Sequence, residues 1–388
     1  MKKEMYSSEV TLLRDTFRRL LRRHAKTNIV KLIDKTHPSD LAQIFRYFND
    51  TEQDLIFSSM LPSEETVKFL YELDESIATR LIESETADRL AKIMEEASSN
   101  EQAFLMGLVS DDFASSVIDL LQAEEQEELE EMMAYPEDSA GILMYTDVFT
   151  LHEETKAREA IYALQDQEDA EMVFYLYTLD DDGRLTGVIS LRDLVTTPSE
   201  TMLKDIMSKN IQAVRPETDQ EEVARIVSQY NFLAVPVVDA SEKLLGIVTV
   251  DSVVDVIREE ATEDFLQLAG AGKDREILLK SSWENARIRL PWLFASWIGG
   301  ILAAFIIGVF DNILESAIAL AAFIPVIIGM GGNVGTQSST IIVRGLATGR
   351  VSFENSIKVL FKEMRVGLIL GSLYGVLLGV FAIFQLID

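Results

Sequence analysis

Six uncharged side chains able to hydrogen-bond, Asn333, Thr336, Gln337, Ser338, Ser339 and Thr340, stand among small residues in the stretch Gly329-Met-Gly-Gly-Asn-Val-Gly-Thr-Gln-Ser-Ser-Thr340. Apolar sequence surrounds them: residues 316–328, broken by Pro325, come before, and Ile341-Ile-Val-Arg-Gly-Leu346 comes after. In hydrocarbon, polar groups are tolerated only against other protein or a water-filled path. Two chemistries fit. The first is glue between helices, where small residues let backbones approach and hydroxyls and amides bond across. The second is the lining of a pore or binding site. A phosphate loop does not fit, because the Gly-Lys-Ser/Thr ending and a preceding soluble strand are both missing. No enzymatic constellation is present elsewhere.

The carboxylates offer a second chemistry. The net charge is −29, yet residues 291–388 hold five acidic and five basic side chains and contribute nothing to it. Residues 1–35 are basic, with ten Lys and Arg against four acids, which leaves −35 on residues 36–290. Such a surface repels itself and attracts cations, and it argues against nucleic acid as a partner. The acidic runs Glu124–Glu131 and Glu259–Asp264 read either as solvated helix faces or as ligands for a hard cation. Mg²⁺ takes oxygen ligands, keeps several waters and is often held by one or two carboxylates. There is no cysteine, and the three histidines (His24, His37, His152) are scattered, so thiolate chemistry is excluded and a zinc site is disfavoured. The N-terminus lacks the apolar run of a cleaved signal peptide, which predicts a cytosolic location for the long N-terminal part.

The elements that must position these groups follow from periodicity. Residues 1–35 read as a basic amphipathic helix with Leu12, Leu13, Phe17, Leu20 and Leu21 on one face, suited to a membrane surface or to packing on a neighbouring domain. Residues 36–134 read as all-helical. Cap signals at His37-Pro-Ser-Asp40, Leu61-Pro-Ser-Glu64, Ser84-Glu-Thr-Ala-Asp88 and Val109-Ser-Asp-Asp112 recur about every 24 residues, which predicts stacked helix pairs in a short superhelix. Residues 138–258 form a tandem α+β repeat, 138–200 and 201–258. In it Arg184-Leu-Thr-Gly-Val-Ile-Ser190 answers Lys243-Leu-Leu-Gly-Ile-Val-Thr249 at an offset of about 60 residues, and Asp181-Asp-Gly183 signals a hairpin.

Residues 259–290 read as a charged connector ending in one long helix. Three spans are expected in 291–388, at 292–310, 316–346 and 366–387; the first and last are uncharged and long enough to cross a bilayer. Arg344, Arg350, Lys358, Lys362 and Arg365 fall between the second and third spans. The positive-inside rule puts that loop in the cytosol with Arg287 and the soluble domains. Gly367, Gly371, Gly375 and Gly379 form a small-residue ridge suited to close helix packing.

The tandem repeat resembles a pair of cystathionine-β-synthase-type (CBS) modules. The whole chain from about residue 30 resembles the MgtE family of bacterial magnesium channels and transporters. The resemblance rests on Asp138-Ser-Ala-Gly-Ile-Leu-Met144, Ser190-Leu-Arg-Asp-Leu194, Thr218-Asp-Gln-Glu-Glu-Val-Ala-Arg225, Gly246-Ile-Val-Thr-Val-Asp251, Glu260-Ala-Thr-Glu-Asp264 and Gly331-Gly-Asn-Val-Gly-Thr-Gln337, met in that order. It implies a multidomain fold: an all-α superhelical N-terminal domain, tandem α+β CBS domains, a connecting "plug" helix and an α-helical transmembrane domain. It further implies a homodimer in the cytoplasmic membrane that transports Mg²⁺ and closes when cytosolic Mg²⁺ binds between its soluble domains and the plug helix.

By the same resemblance Asn333 matches a pore asparagine facing hydrated Mg²⁺. Asp219, Glu221, Asp255, Glu263 and Asp264 match regulatory Mg²⁺ ligands, and Asp88 matches an N-domain ligand. Tyr175, Arg192, Asp193 and Phe232 fall where family members can hold ATP. Two departures stand out. Asn231 replaces an expected aspartate, and the sequence ends after the third of five expected membrane helices. The alternative expectation is therefore a truncated, non-conducting, membrane-anchored sensor of Mg²⁺ or nucleotide.

Overall fold

The computed structural model describes the chain apart from residues 1, 167–173, 273–276, 278–279, 311–321, 348–350, 352–354 and 388. It forms two compact units, Met1–Val256 and Ile257–Asp388.

In the first unit, helix Lys2–Arg22 turns at His24 (φ 49°) into helix Lys26–Ile33. Phe17 and Leu21 are buried, but Leu12, expected on the same face, is 69% exposed. Eight short helices follow, beginning at residues 38, 50, 64, 75, 87, 99, 111 and 123. The pair spacing read from the cap signals is thus the period of the superhelix. Short helices leave many unpaired N–H groups per residue, and the sequence supplies caps for them. Asn49 with Glu52 forms a capping box, Ser63 accepts from the amide of Thr66, and Thr86 accepts from that of Arg89. At the first cap His37, not Ser39 or Asp40, does the work: its Nδ1 accepts from the Ser39 amide while Pro38 occupies the first turn.

The CBS pair holds two small sheets. Strands β1 (Thr150–His152), β2 (Tyr175–Leu179) and β3 (Leu185–Ser190) lie in that order, β1 parallel and β3 antiparallel to β2. Strands β4 (Ala234–Val238) and β5 (Leu244–Thr249) form an antiparallel pair. The segments preceding each module are exchanged. Tyr145 bridges to Ile247 in β5 with bonds of 2.8 and 2.9 Å, and Ser208 bridges to Val188 in β3 with bonds of 2.9 and 3.1 Å. Each module therefore adds to the sheet of the other across the boundary of the repeat. Gly246 and Gly187 make room for this exchange. A Cβ on Gly246 would lie 2.6 Å from the carbonyl oxygen of Tyr145, and one on Gly187 would collide with Sδ of Met207.

The cores divide unevenly. Phe149, Ala157, Ala160, Leu176, Ile189, Leu194 and Leu203 form a separate core for the first module. The second module instead shares one continuous core with the helical domain, running from Phe17 and Phe45 through Met144 to Val223, Val235 and Val256.

The connector, expected over 259–290 as a charged stretch ending in one long helix, is divided between two helices. Helix Val250–Leu268 continues directly out of β5, and the chain then turns at Gly270 (φ 68°) and Gly272 (φ 83°). A new helix, Ser282–Val309, starts from a Ser281–Glu284 capping box and runs through Pro291 into the apolar segment. Glycine at positive φ ends helices without the cost a Cβ would bring.

Among the described residues, Ser282–Val309 and Ile357–Phe384 are the helices long and apolar enough to cross a membrane, with mean hydropathy 2.1 and 2.3. The expected second span is seen as helix Ile324–Ala347, with Pro325 in its first turn; the earlier part of that span, residues 316–321, lies outside the described residues. The last helix is Ser356–Ile387, so Lys358, Lys362 and Arg365, expected in a loop, stand on its opening turns. Gly371, Gly375 and Gly379 of the glycine ridge meet no described atom within 4 Å of a built Cβ, while Gly367 faces Val334 at 3.9 Å.

Candidate ion path and regulatory carboxylates

Helix Ile324–Ala347 gathers its polar residues by simple periodicity. Positions 333, 336, 337, 340 and 341 share one face at 3.6 residues per turn. Asn333, Thr336, Gln337, Thr340 and Ile341 line a shallow concavity of about 410 Å³ on that face. Gly331, Gly332 and Gly335 leave the backbone beside it open. Thr340 Oγ1 is turned back to the carbonyl of Thr336 (2.9 Å), whereas Asn333 is exposed and presents its amide outward. A row of neutral oxygens and amides on an otherwise apolar helix can replace or hold the outer waters of a cation without the desolvation cost of a charge.

One contact here had no sequence signal. Ser338 Oγ donates to Oε2 of Glu363 at 2.9 Å, tying this helix to Ser356–Ile387. Glu363 is half-buried. Its position three residues before the uncharged run was visible in the sequence, but its partner was not.

The six regulatory candidates fall in different places. Asp88 is exposed on the first turn of helix Ala87–Met94. Asp219 is the N-cap of helix Gln220–Tyr230, accepting from the amide of Glu221 at 2.8 Å, and both side chains are exposed. Capping acids at a helix N-terminus are stabilising on their own account, so these two have a structural role whatever else they bind. Asp255 is half-buried on the portion of helix Val250–Leu268 that belongs to the first unit. Glu263 and Asp264 are half-buried on the portion that belongs to the second, where Gln267 donates to Glu263 at 2.9 Å. Burial first, and then the charge of Glu263, hold the Asp264 carboxyl above the usual carboxylate range, while Arg344 pulls the other way. Two neighbouring carboxylates that repel in a partly desolvated place suit a divalent cation, which would relieve both effects. Among the described residues no three Asp, Glu, His or Cys side chains gather closely enough to hold a metal by themselves.

Asn231, expected as a departure from an aspartate ligand, has a local reason. It closes helix Gln220–Tyr230 in the left-handed conformation (φ 55°, ψ 42°), which asparagine tolerates well.

The nucleotide candidates split in two. Tyr175 pairs across β2–β3 with Ser190, and Ser190 caps the next helix, exchanging bonds with Asp193 (3.1 Å from the Asp193 amide, 2.6 Å to its carboxylate). The strand register thus brings Tyr175 beside the turn that carries exposed Arg192 and Asp193. Phe232 lies in the second module, stacked on Tyr230 at 5.3 Å and 13°.

The comparisons with known proteins follow this order of parts. Residues 36–138 match the model of the MgtE intracellular N domain, 140–200 and 203–259 match CBS domains, and 324–388 match a divalent cation transporter. A helical domain, exchanged CBS modules and a divalent-cation-transporter segment on one chain define a CBS-containing divalent cation transporter. The magnesium transporter MgtE of Bacillus subtilis is 31% identical over 91% of this chain and 78% of its own length. That of Thermus thermophilus is 35% identical over 88% and 77%. The chain belongs to the MgtE family. The MgtE of Enterococcus faecalis is 38% identical over 65% of this chain and 56% of its own length. Among solved structures, the cytosolic domain of the Mg²⁺ channel MgtE in complex with ATP superposes with a TM-score of 0.60 at 31% identity, covering 63% of this chain and 99% of that one. The soluble part of a magnesium transporter does so with 0.58 at 27% identity, covering 65% and 99%.

Proposed function

We propose that this chain carries Mg²⁺ across a cell membrane as one subunit of a homodimer, with its N-terminal domains in the cytosol. The observation that carries the reading is the row Asn333, Thr336, Gln337 and Thr340 along one face of a helix in a family of magnesium transporters. In this reading Asn333 faces the hydrated ion. Mg²⁺ gives up its waters reluctantly, so a neutral amide that hydrogen-bonds to the hydration shell binds weakly enough for the ion to leave again. The test is Mg²⁺ uptake by liposomes carrying the chain. Uptake that Asn333→Ala abolishes supports the reading; uptake untouched by the substitution refutes the role of Asn333. No uptake at all, with Mg²⁺ still compacting the soluble domains, would favour a sensor.

Regulation is assigned, in the same reading, to Mg²⁺ held by Asp88, Asp219, Glu221, Asp255, Glu263 and Asp264. The repulsion between Glu263 and Asp264 supports it. Neutralising Asp255, Glu263 and Asp264 together then removes the protection from protease that millimolar Mg²⁺ confers on the wild type, and unchanged protection counts against the assignment. ATP, bound in a solved cytosolic domain that this chain resembles, is assigned to Tyr175, Arg192, Asp193 and Phe232.

A further inference from the structure

The first helix leaves a cationic surface that neither the fold nor ion transport uses. Most of its apolar side is already committed: Phe17 and Leu21 are buried, and Val10, Leu13 and Leu20 pack on the same core, with Leu12 left exposed. Its other side carries Asp15, Arg18, Arg19, Arg22 and Arg23 around an open concavity of about 380 Å³. Arg18 is used, donating to the carbonyl of Tyr47 at 2.7 Å. Arg14 is used as well, pairing with Asp15 at 2.9 Å and lying over the Tyr47 ring.

Arg19, Arg22 and Arg23 are exposed, and their guanidinium groups have no ion pair or hydrogen bond among the described residues. Arg46, Arg80, Arg89, Arg158, Arg184, Arg215 and Arg225 all find a carboxylate. Cations in a last helical turn favour the helix dipole, which accounts for one or two arginines there but not for several converging on one hollow.

We infer that this arginine face docks on the anionic phospholipid headgroups of a bilayer. Charge complementarity chooses the occupant. Residues 36–290 carry a net −35, so within the long N-terminal part a phosphate-rich surface meets its attraction at this patch. Among the described residues the chain also holds two helices long and apolar enough to cross a membrane, so a bilayer is a surface within its reach. With Phe17 and Leu21 of the apolar side buried in the core and Leu12 left exposed, attachment is chiefly by charge and is screened by salt.

The chain has no cysteine, so Thr27→Cys, at an exposed position just past the patch, takes a single fluorophore. The full chain is reconstituted in phosphatidylcholine vesicles with or without phosphatidylglycerol, each with a quencher on the lipid headgroup. Stronger quenching in the anionic vesicles, reversed by high salt, is expected. A basic side chain near such a surface is worth about fivefold in partitioning, so Arg19→Gln, Arg22→Gln and Arg23→Gln together weaken docking on the order of a hundredfold. The three Arg→Lys changes keep the charge and keep docking, which separates lost attraction from a damaged fold. Equal quenching in both vesicle types, or quenching that survives the triple Gln variant, overturns the inference. Quenching lost on dilution to one chain per vesicle would mean that a second copy is the partner. Quenching abolished by inorganic phosphate at constant ionic strength would mean a soluble-anion site. Either result also overturns it.

Discussion

Tyr177 gives the sharpest test of the CBS pair. It lies in β2 at 1% exposure, in contact with Ala234 and Ile247 of the second module, so it stands where the two modules meet. Its hydroxyl has no hydrogen-bond partner among the described residues. Burial, with a smaller contribution from Tyr175, pushes the phenol well above its ordinary pKa, so it stays neutral at any physiological pH. A buried hydroxyl left unpaired costs about 1–3 kcal/mol. Tyr177→Phe removes the hydroxyl and keeps the ring, losing only the contacts of one oxygen. The expected result is a gain of about 1 kcal/mol, against the usual direction for a core substitution. For a unit of this size that corresponds to roughly 2–4 °C in Tm. Because the chain also carries membrane helices, amide hydrogen exchange of β2 and β4 is the cleaner assay; a gain of 1 kcal/mol slows exchange about fivefold where it requires opening of the module. Faster exchange in the variant refutes the reasoning, since it would mean that the hydroxyl is satisfied in solution by a bound water or ligand between the modules.

Further expectations follow from single residues. Gly246→Ala brings a Cβ to 2.6 Å from a backbone carbonyl that cannot swing away, so it costs about 1–3 kcal/mol and is read as faster exchange of the Tyr145 and Ile247 amides. Asp264 has its carboxyl held above the ordinary range, so its ionised form is disfavoured in the fold at neutral pH, and that penalty vanishes as pH falls below the ordinary carboxylate range. Asp264→Asn is therefore expected to slow exchange in the helix around it at pH 7 without Mg²⁺, to have no effect near pH 3, and to lose part of its advantage when Mg²⁺ is added. A gain independent of pH and of Mg²⁺ would show that charge is not the cause.

What the sequence by itself determined is whatever repeats locally. Cap residues such as Ser63 and Thr86 set the period of the helical domain, because a short helix needs a side chain to take its first amides and few residues can do so. The doubled Leu-x-Gly-Val/Ile pattern showed the tandem α+β repeat that resembles a CBS pair. Uncharged runs showed two membrane-length helices, because bilayer thickness fixes their length. The polar face around Asn333 was legible because helical periodicity alone brings 333, 336, 337 and 340 together.

Tertiary structure decided the rest. No local pattern says that Tyr145 completes the sheet of the module it does not precede, since strand pairing is settled between residues a hundred positions apart. The break inside the connector had no sequence reading either: Gly270 and Gly272 end one helix by their backbone conformation before the next starts after Ser281. Leu12 shows the limit from the other side. Its spacing puts it near the apolar stripe, but burial depends on what packs against the helix, and there the core meets Phe17 and Leu21 instead. The candidate site divides in the same way: its residue types are written in the sequence, while the bond from Ser338 to Glu363 and the isolation of Tyr177 exist only because distant segments were brought together.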